Sequence, residues 1–295
     1  MPCPTPASPA ARGSVFDVLS SSRARLHRHA AVGDGLVIAQ WSNRFDTTRY
    51  QPQHHTLSLY LSGGHGTYRA DAPGERGAPG KLCLMPAGHE VDWIVGPEQH
   101  FLHLYFAADQ LGPLALRVLD REARELALPE LNFVDDPALA ATLGGLVGLD
   151  WDDPGDRLAA NQRGHEALVH VLARHAGRAP RLRLRGGLAP ALRRRLVEYL
   201  DAHLAEDLPV GRLAAFCALS EAHFAHMFRA SFGCAPHAWI VARRLERAAA
   251  LLRARPAAPL EALAAETGHA SASHLVRRFK ARWGVTPGQY RALAR

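Results

Sequence analysis

Between about Val15 and Ala107 the apolar residues alternate or come in short bursts: Leu36-Val37-Ile38, then Leu57, Leu59 and Leu61, then Leu82, Leu84 and Met85, then Leu102, Leu104 and Phe106. Alternation at a period of two marks strands with one face turned inward. The clusters Ser62-Gly63-Gly64, Ala72-Pro73-Gly74 and Pro86-Ala87-Gly88 supply the turns between them. Many short strands punctuated in this way predict an antiparallel sandwich or small barrel. From about Leu111 to Ala176 the period becomes helical, with Leu158, Leu168, Val171 and Leu172 on one stripe, and Arg178 to Gly187 reads as a linker.

Beyond the linker the pattern is helical throughout. Ala189 to Leu204 carries Leu192, Leu196, Tyr199, Leu200 and His203 at spacings of three and four, the signature of an amphipathic helix. The last ninety residues then contain one pattern twice: Ser220, His223, Phe228, Gly233 and Pro236 return 51 positions later as Ser271, His274, Phe279, Gly284 and Pro287. Leu213-Ala214 returns as Leu263-Ala264 at an offset of 50, so the second copy holds one extra residue between its helices. Each copy reads as a short apolar helix, a tight turn and a second helix opened by Ser, the outline of a helix-turn-helix. Ser220 and Ser271 are good N-caps, and Pro209 and Pro259 stand where the first helix of each copy begins.

Within the second helices Phe224 and Phe228, and Leu275 and Phe279, are four apart and share the core face. The opposite face is left with His223, His226 and Arg229 in the first copy and Ser273, His274, Arg277 and Lys280 in the second. Together with Ser220, Glu221 and Ser271 at the helix starts, these are the candidate DNA-binding residues. Pro236 to about Arg253 joins the copies by a helix of some eighteen residues, roughly 27 Å long at 1.5 Å per residue. That is a rigid spacer suited to two helices entering successive major grooves about 34 Å apart.

Charge segregates with the repeat. Residues 181–295 hold 19 basic residues against 8 acidic, whereas the first 180 hold 16 against 20. The excess positive charge of the chain, +7, therefore lies wholly in the repeat-bearing end, where a polyanion would be met. No run of apolar residues reaches the roughly 18 needed to span a bilayer, so no membrane partner is expected. Residues 1–12, rich in Pro and Ala, read as a disordered tail and not as a secretory signal. Cys3, Cys83, Cys217 and Cys234 show no CxxC spacing and fit reduced thiols in a cytoplasmic protein.

At these residues the chain resembles the AraC/XylS family of bacterial transcription regulators. The resemblance is carried by Leu213-Ala214, Ser220, Phe224 and Phe228 in the first copy, and by Arg244-Leu245, Ala248 and Leu251-Leu252 in the connector. In the second copy it rests on Leu263-Ala264, Gly268, Phe279-Lys280, Gly284, Thr286-Pro287 and Tyr290-Arg291. It covers about 105 residues. The upstream half is similar to that family's cupin-like sensor, from His54 to Leu61 through Leu82 to Gly88 to His103-Leu104-Tyr105-Phe106. The resemblance implies an α+β chain: a cupin-like antiparallel barrel over 13–108, a helical linker and dimerisation region over 109–180, and an all-α double helix-turn-helix domain over 181–295. It implies promoter DNA, RNA polymerase, a small-molecule effector and a second copy in a homodimer as partners.

Three departures stand out. The first turn has Ala218 where the family usually has Gly, which costs about 1 kcal/mol if that position is left-handed. The second copy has Gly268-His269 where Gly-Phe is common, and the first recognition helix has His226 where Arg is usual while the second keeps Arg277.

The 17 histidines raise the question of metal. His54-His55 and His103 do not follow the HxH-then-Glu arrangement of metal-holding cupins, and neighbours on a strand point to opposite faces. Neither a metal nor any other cofactor is expected. Ser14 and Ser62 sit in no GxSxG elbow, and no Gly-rich phosphate loop occurs, so no enzyme activity is expected. The alternatives are a duplex-binding protein acting by charge alone, or a cupin-type enzyme fused to a DNA-binding domain. If one side of each strand lines a cavity, His55, Trp93, His103 and Tyr105 are the candidate effector contacts.

Overall fold

The alternating segments pair as antiparallel strands. The structure, a computed structural model, describes residues 14–52, 54–119, 121–122, 126–178 and 186–293. The expected tail at 1–12 and most of the expected linker lie outside them. Helix α1 (Val15–Ser20) opens with a capping box in which Ser14 Oγ accepts the Asp17 N–H at 3.0 Å. There follow β1 (Arg25–Gly33), β2 (Leu36–Asn43), β3 (Asp46–Tyr50), β4 (His55–Gly63), β5 (Tyr68–Arg69), β6 (Leu82–Met85), β7 (Val91–Val95) and β8 (Gln99–Phe106).

Helix α2 (Ala108–Leu119) comes next, then β9 (Leu126–Ala127), β10 (Leu131–Val134), α3 (Pro137–Gly144), α4 (Pro154–Arg174) and β11 (Gly177–Arg178). The region 109–180 is thus not wholly helical. β10 closes one edge of a six-stranded sheet ordered β1-β2-β8-β4-β6-β10, and β9 pairs with β11. A three-stranded sheet, β3-β7-β5, completes the β structure.

Every residue of β4 from His55 to Tyr60 is buried, because both of its faces are covered. Tyr60 joins Trp41, Tyr50, Trp93, Phe101, Tyr105 and Phe133 in an aromatic core fed by both sheets. Leu57 and Leu59 point the other way, and α3 packs on β4 there. The two sheets face each other and do not close into one barrel, so the expected barrel is an antiparallel sandwich.

The chain divides into two compact units, one made of Met1–Ala30, Val37–Ala108 and Pro129–Gly148, the other of Ala31–Leu36, Asp109–Leu128 and Leu149–Arg295. α3 belongs to the first unit and the tip of the β1–β2 hairpin to the second. That tip is built on left-handed backbone at Asp34 (φ 51°) and Gly35 (φ 73°).

The second unit contains α2 from Asp109 onward, α4, and seven further helices: α5 (Pro190–Ala202), α6 (Val210–Phe216), α7 (Glu221–Phe232), α8 (Pro236–Ala254), α9 (Leu260–Glu266), α10 (Ala272–Trp283) and α11 (Pro287–Leu293). Proline opens α5 and α8, where its missing N–H leaves no helical bond unmade. Of the apolar stripe on α4, Leu168, Val171 and Leu172 are at most 1% exposed in the single chain and Leu158 is half-buried. No helix among the described residues is long and apolar enough to cross a membrane.

Candidate nucleic-acid interface

The repeat seen in sequence is a repeat in space. α6 and α9 have seven residues each, α7 and α10 twelve each, and the latter two start at the same offset of 51 as their caps. Ser220 Oγ accepts the His223 N–H at 3.4 Å and Ser271 Oγ accepts the His274 N–H at 3.1 Å. Both helices end on a left-handed glycine, Gly233 (φ 77°) and Gly284 (φ 74°), which turns the chain into a following Pro-initiated helix.

Each copy has its own core. Leu213, Phe224, Phe228 and Phe232 gather around Leu196, Leu200, Trp239 and Ile240, with Phe228 and Phe232 stacked at 4.1 Å. Leu263, Leu275 and Phe279 gather around Leu245, Ala248, Leu252 and Tyr290. The connector α8, nineteen residues long, contributes its first half to one core and its second half to the other.

With those faces buried, the sequence-predicted polar residues fall outside. Ser220, Glu221, His223, His226 and Arg229 are exposed along α7, and Ser271, Ser273, Arg277 and Lys280 along α10. His274 is only half-exposed; it lies beside His269, and Arg278 Nε reaches its Nε2 at 3.4 Å. Burial, followed by the charges of Arg278 and Arg277, holds its pKa below the ordinary imidazole value. His274 therefore presents mainly a neutral ring, and Arg278, exposed at the position matching Met227, is an outward cation that the repeat alignment passes over. Its signal was the pair Arg277-Arg278 itself.

The turns correspond at the offset of 50. Ala218 and Gly268 are both left-handed, at φ 54° and 70°. A Cβ on Gly268 would lie 2.6 Å from the Leu204 carbonyl oxygen, so glycine is required there for space. After Gly268, His269 takes the buried place: its Nδ1 meets Thr267 Oγ1 at 2.9 Å, and burial pushes its pKa down to about 4. Leu219 stands at the matching position and packs on the first core.

Close to α10, the hairpin tip makes polar contacts within the same compact unit. The Asp34 N–H donates to the Ala281 carbonyl at 2.9 Å, and the Asp34 carboxylate accepts from Arg282 at 2.6 Å and from His165 Nε2 at 2.8 Å. Arg282 also reaches Glu246 on α8, which Arg117 of α2 engages as well.

In the first unit three of the four candidate effector residues share the inner face. Trp93 and His103 line a cavity of about 30 Å³ together with Asn43, Tyr50, Tyr60 and Gln99. Tyr105 lies in the aromatic core beside it. The indole N–H of Trp41 can only donate, and it donates to Tyr105 Oη at 3.1 Å; Tyr105 Oη in turn meets His103 Nδ1 at 2.9 Å. Burial pushes the His103 ring's pKa down to about 3, so it stays neutral.

His55 does not join this group. It is on the opposite face of β4, its ring 5.1 Å from Phe106 and its Nδ1 accepting the Ala87 N–H at 2.9 Å. The assumption that all four residues face one cavity fails because 55 differs in parity from Ser58 and Tyr60. About 30 Å³ holds about two waters, so a ligand can enter only by moving side chains. A larger cavity, about 390 Å³, lies in the second unit among α2, α4, α5 and α8, lined by Leu114, Leu168, Val197 and Trp239 with Arg117 and Arg243.

Known proteins match both halves of the chain. A model of the AraC-like ligand binding domain matches residues 37–168, and a helix-turn-helix domain model matches residues 213–293. A putative AraC-like transcription regulator of Streptomyces antibioticus is 35% identical over 127 residues, 42% of this chain and 41% of that protein. An uncharacterized HTH-type transcriptional regulator of Haemophilus influenzae is 28% identical over 252 residues, 82% of this chain and 76% of that one. The C-terminal domain of AraT, a response regulator from Geobacillus stearothermophilus, is 28% identical, covers 36% of this chain and 86% of that structure, and has a TM-score of 0.33. The chain spans about two fifths of the length of the Streptomyces relative and of LumQ, a probable transcriptional regulator of Photobacterium leiognathi. With a ligand-binding domain and a helix-turn-helix domain matched in that order, the chain belongs to the AraC-like family of transcription regulators.

Proposed function

We propose that this chain is a sequence-specific DNA-binding transcription regulator that answers to a small-molecule effector. The observation that carries the reading is the doubled unit, α6–α7 and α9–α10, whose outward faces hold Arg229 in one copy and Arg277, Arg278 and Lys280 in the other. Phosphate contacts from these cations supply affinity, and side chains in the major groove supply sequence preference. Arg277 offers a fork suited to guanine; His226, at the matching place, has one donor and a shorter reach. Promoter DNA and RNA polymerase are the macromolecular partners in this reading, in the cytoplasm. A homodimer would use a surface other than the buried Leu168, Val171 and Leu172 of α4.

Mapping of bound DNA in the native host, followed by anisotropy against an unrelated duplex at fixed salt, tests it. A preference of about 10³ or more is expected. Equal affinity for both duplexes would replace regulation of chosen promoters with binding by charge alone.

The effector we assign to the sandwich is uncharged, because no Asp, Glu, Lys or Arg lines its cavity and His103 is neutral. A thermal-shift screen of small molecules locates it. Stabilisation lost in His103→Ala places the ligand in the sandwich, and stabilisation retained there points to the larger cavity of the second unit.

A further inference from the structure

Arg244 stands on α8 where the connector passes from the first core, which ends at Ile240, to the second, which begins in full at Leu245. The buried clusters of the two cores share no residue. The guanidinium spreads between them: Nε donates to the Leu204 carbonyl at 2.8 Å, one terminal nitrogen to the Gly268 carbonyl at 2.7 Å and the other to the Glu206 carbonyl at 2.6 Å. Leu204 and Glu206 follow the end of α5, beside the first copy; Gly268 is the turn of the second.

All three acceptors are backbone atoms. The cation therefore lies at the C-terminal ends of α5 and α9, where the helix dipoles are negative, with the Asp207 carboxylate also near enough to favour its charge. The same place explains the glycine. A Cβ at 268 would meet Arg244 at 2.9 Å as well as the Leu204 oxygen, so the second turn can approach α5 and the arginine only as glycine.

We infer that Arg244 is the positioning residue that holds the two recognition helices, α7 and α10, at one separation and angle. It does so by binding the turn of the second copy and the chain after α5 with one planar fork. Arginine suits this because its donors are fixed in a plane and spread over three nitrogens; lysine, whose three donors sit on a single nitrogen, cannot reproduce that spread. The inference rests on the two-copy DNA-reading proposed above, but its geometric part does not need DNA.

Two measurements test it on the full-length chain. Nitroxides are attached at H226C and R277C, with Cys3 and Cys234 replaced by serine, and their separation is measured without DNA. A single narrow distribution is expected with Arg244, and one at least about twofold wider in both R244A and R244K, with helix content unchanged.

In the second measurement the label-free chain binds a duplex that it has selected from a random library, and versions with one half scrambled or three base pairs inserted between the halves. R244A should bind the intact duplex about tenfold or more weakly, match the unsubstituted chain on the half-scrambled duplex, and lose most of its sensitivity to the insertion. The salt slope should stay the same, since Arg244 touches no phosphate in this arrangement. Unchanged distance widths, or equal losses on intact and half-scrambled duplexes, would overturn the inference. A chain that selects no duplex at all would overturn the regulator reading while leaving the distance widths to decide this one.

Discussion

The two helix-turn-helix copies share a scaffold and differ where the scaffold is not at stake. Caps, the core pair Phe228 and Phe279, helix lengths and terminal glycines coincide, whereas the turn has Ala218 in one and Gly268 in the other, and the outward position has His226 against Arg277. The reason for the first difference is space. Gly268 is pressed against Leu204 and Arg244, whereas Ala218 is itself exposed and accommodates its Cβ. The same backbone conformation thus tolerates a methyl group in one copy and excludes it in the other. Position in the assembly, and not the motif, decides.

The comparison can be broken most sharply at the turns. Gly268→Ala should destabilise by roughly 2–4 kcal/mol, adding a left-handed penalty to a clash with the Leu204 oxygen. Ala218→Gly should change stability by at most about 1 kcal/mol, in the favourable direction. Thermal melts of the two variants check this, and similar shifts would mean that space is not the difference.

At the outward face, Arg277→Ala should cost roughly 1–3 kcal/mol of specific binding and relax preference in one half of the site, and His226→Ala less. Anisotropy on a mapped site measures both, and equal losses would make the copies equivalent readers.

A third contrast is acid sensitivity. His269 is held neutral in the folded chain, with a pKa of about 4, so the unfolded chain, near the ordinary 6.5, binds more protons between those values. The stability this contributes is complete above pH 6.5 and is lost as pH falls towards 4. His269→Leu, which copies Leu219, should recover on the order of 1–2 kcal/mol at pH 4 relative to its effect at pH 7, read from denaturant melts. An identical pH profile in the variant would show that the ring is not what acid attacks. The smallest expected change is His226→Arg, a gain of several tenths to about 1 kcal/mol in DNA affinity with a steeper salt slope.

How far each part was legible follows from the length of its pattern. The two copies show in sequence because caps, spacings of four and terminal glycines recur over fifty residues. β5, β9 and β11, two residues each, are too short for any period to show, and β10 hides in a segment that otherwise reads as helix. The face of His55 was readable from the alternation Leu57, Leu59, Leu61, which puts it with those leucines and away from Ser58 and Tyr60. The triple grip of Arg244 was not, since its acceptors are backbone atoms brought together from three places in the chain.

The hairpin tip at Asp34 bears on how such regulators are cut and recombined. A fragment starting at residue 181 carries α10 without Ala31–Leu36, leaving the Ala281 carbonyl to water and Arg282 with Glu246 as its remaining acidic partner. Grafting this reader onto a foreign sensor therefore transfers an incomplete folding unit unless the sensor brings an equivalent acidic turn. In a chimaera the choice of that six-residue loop matters as much as the choice of junction.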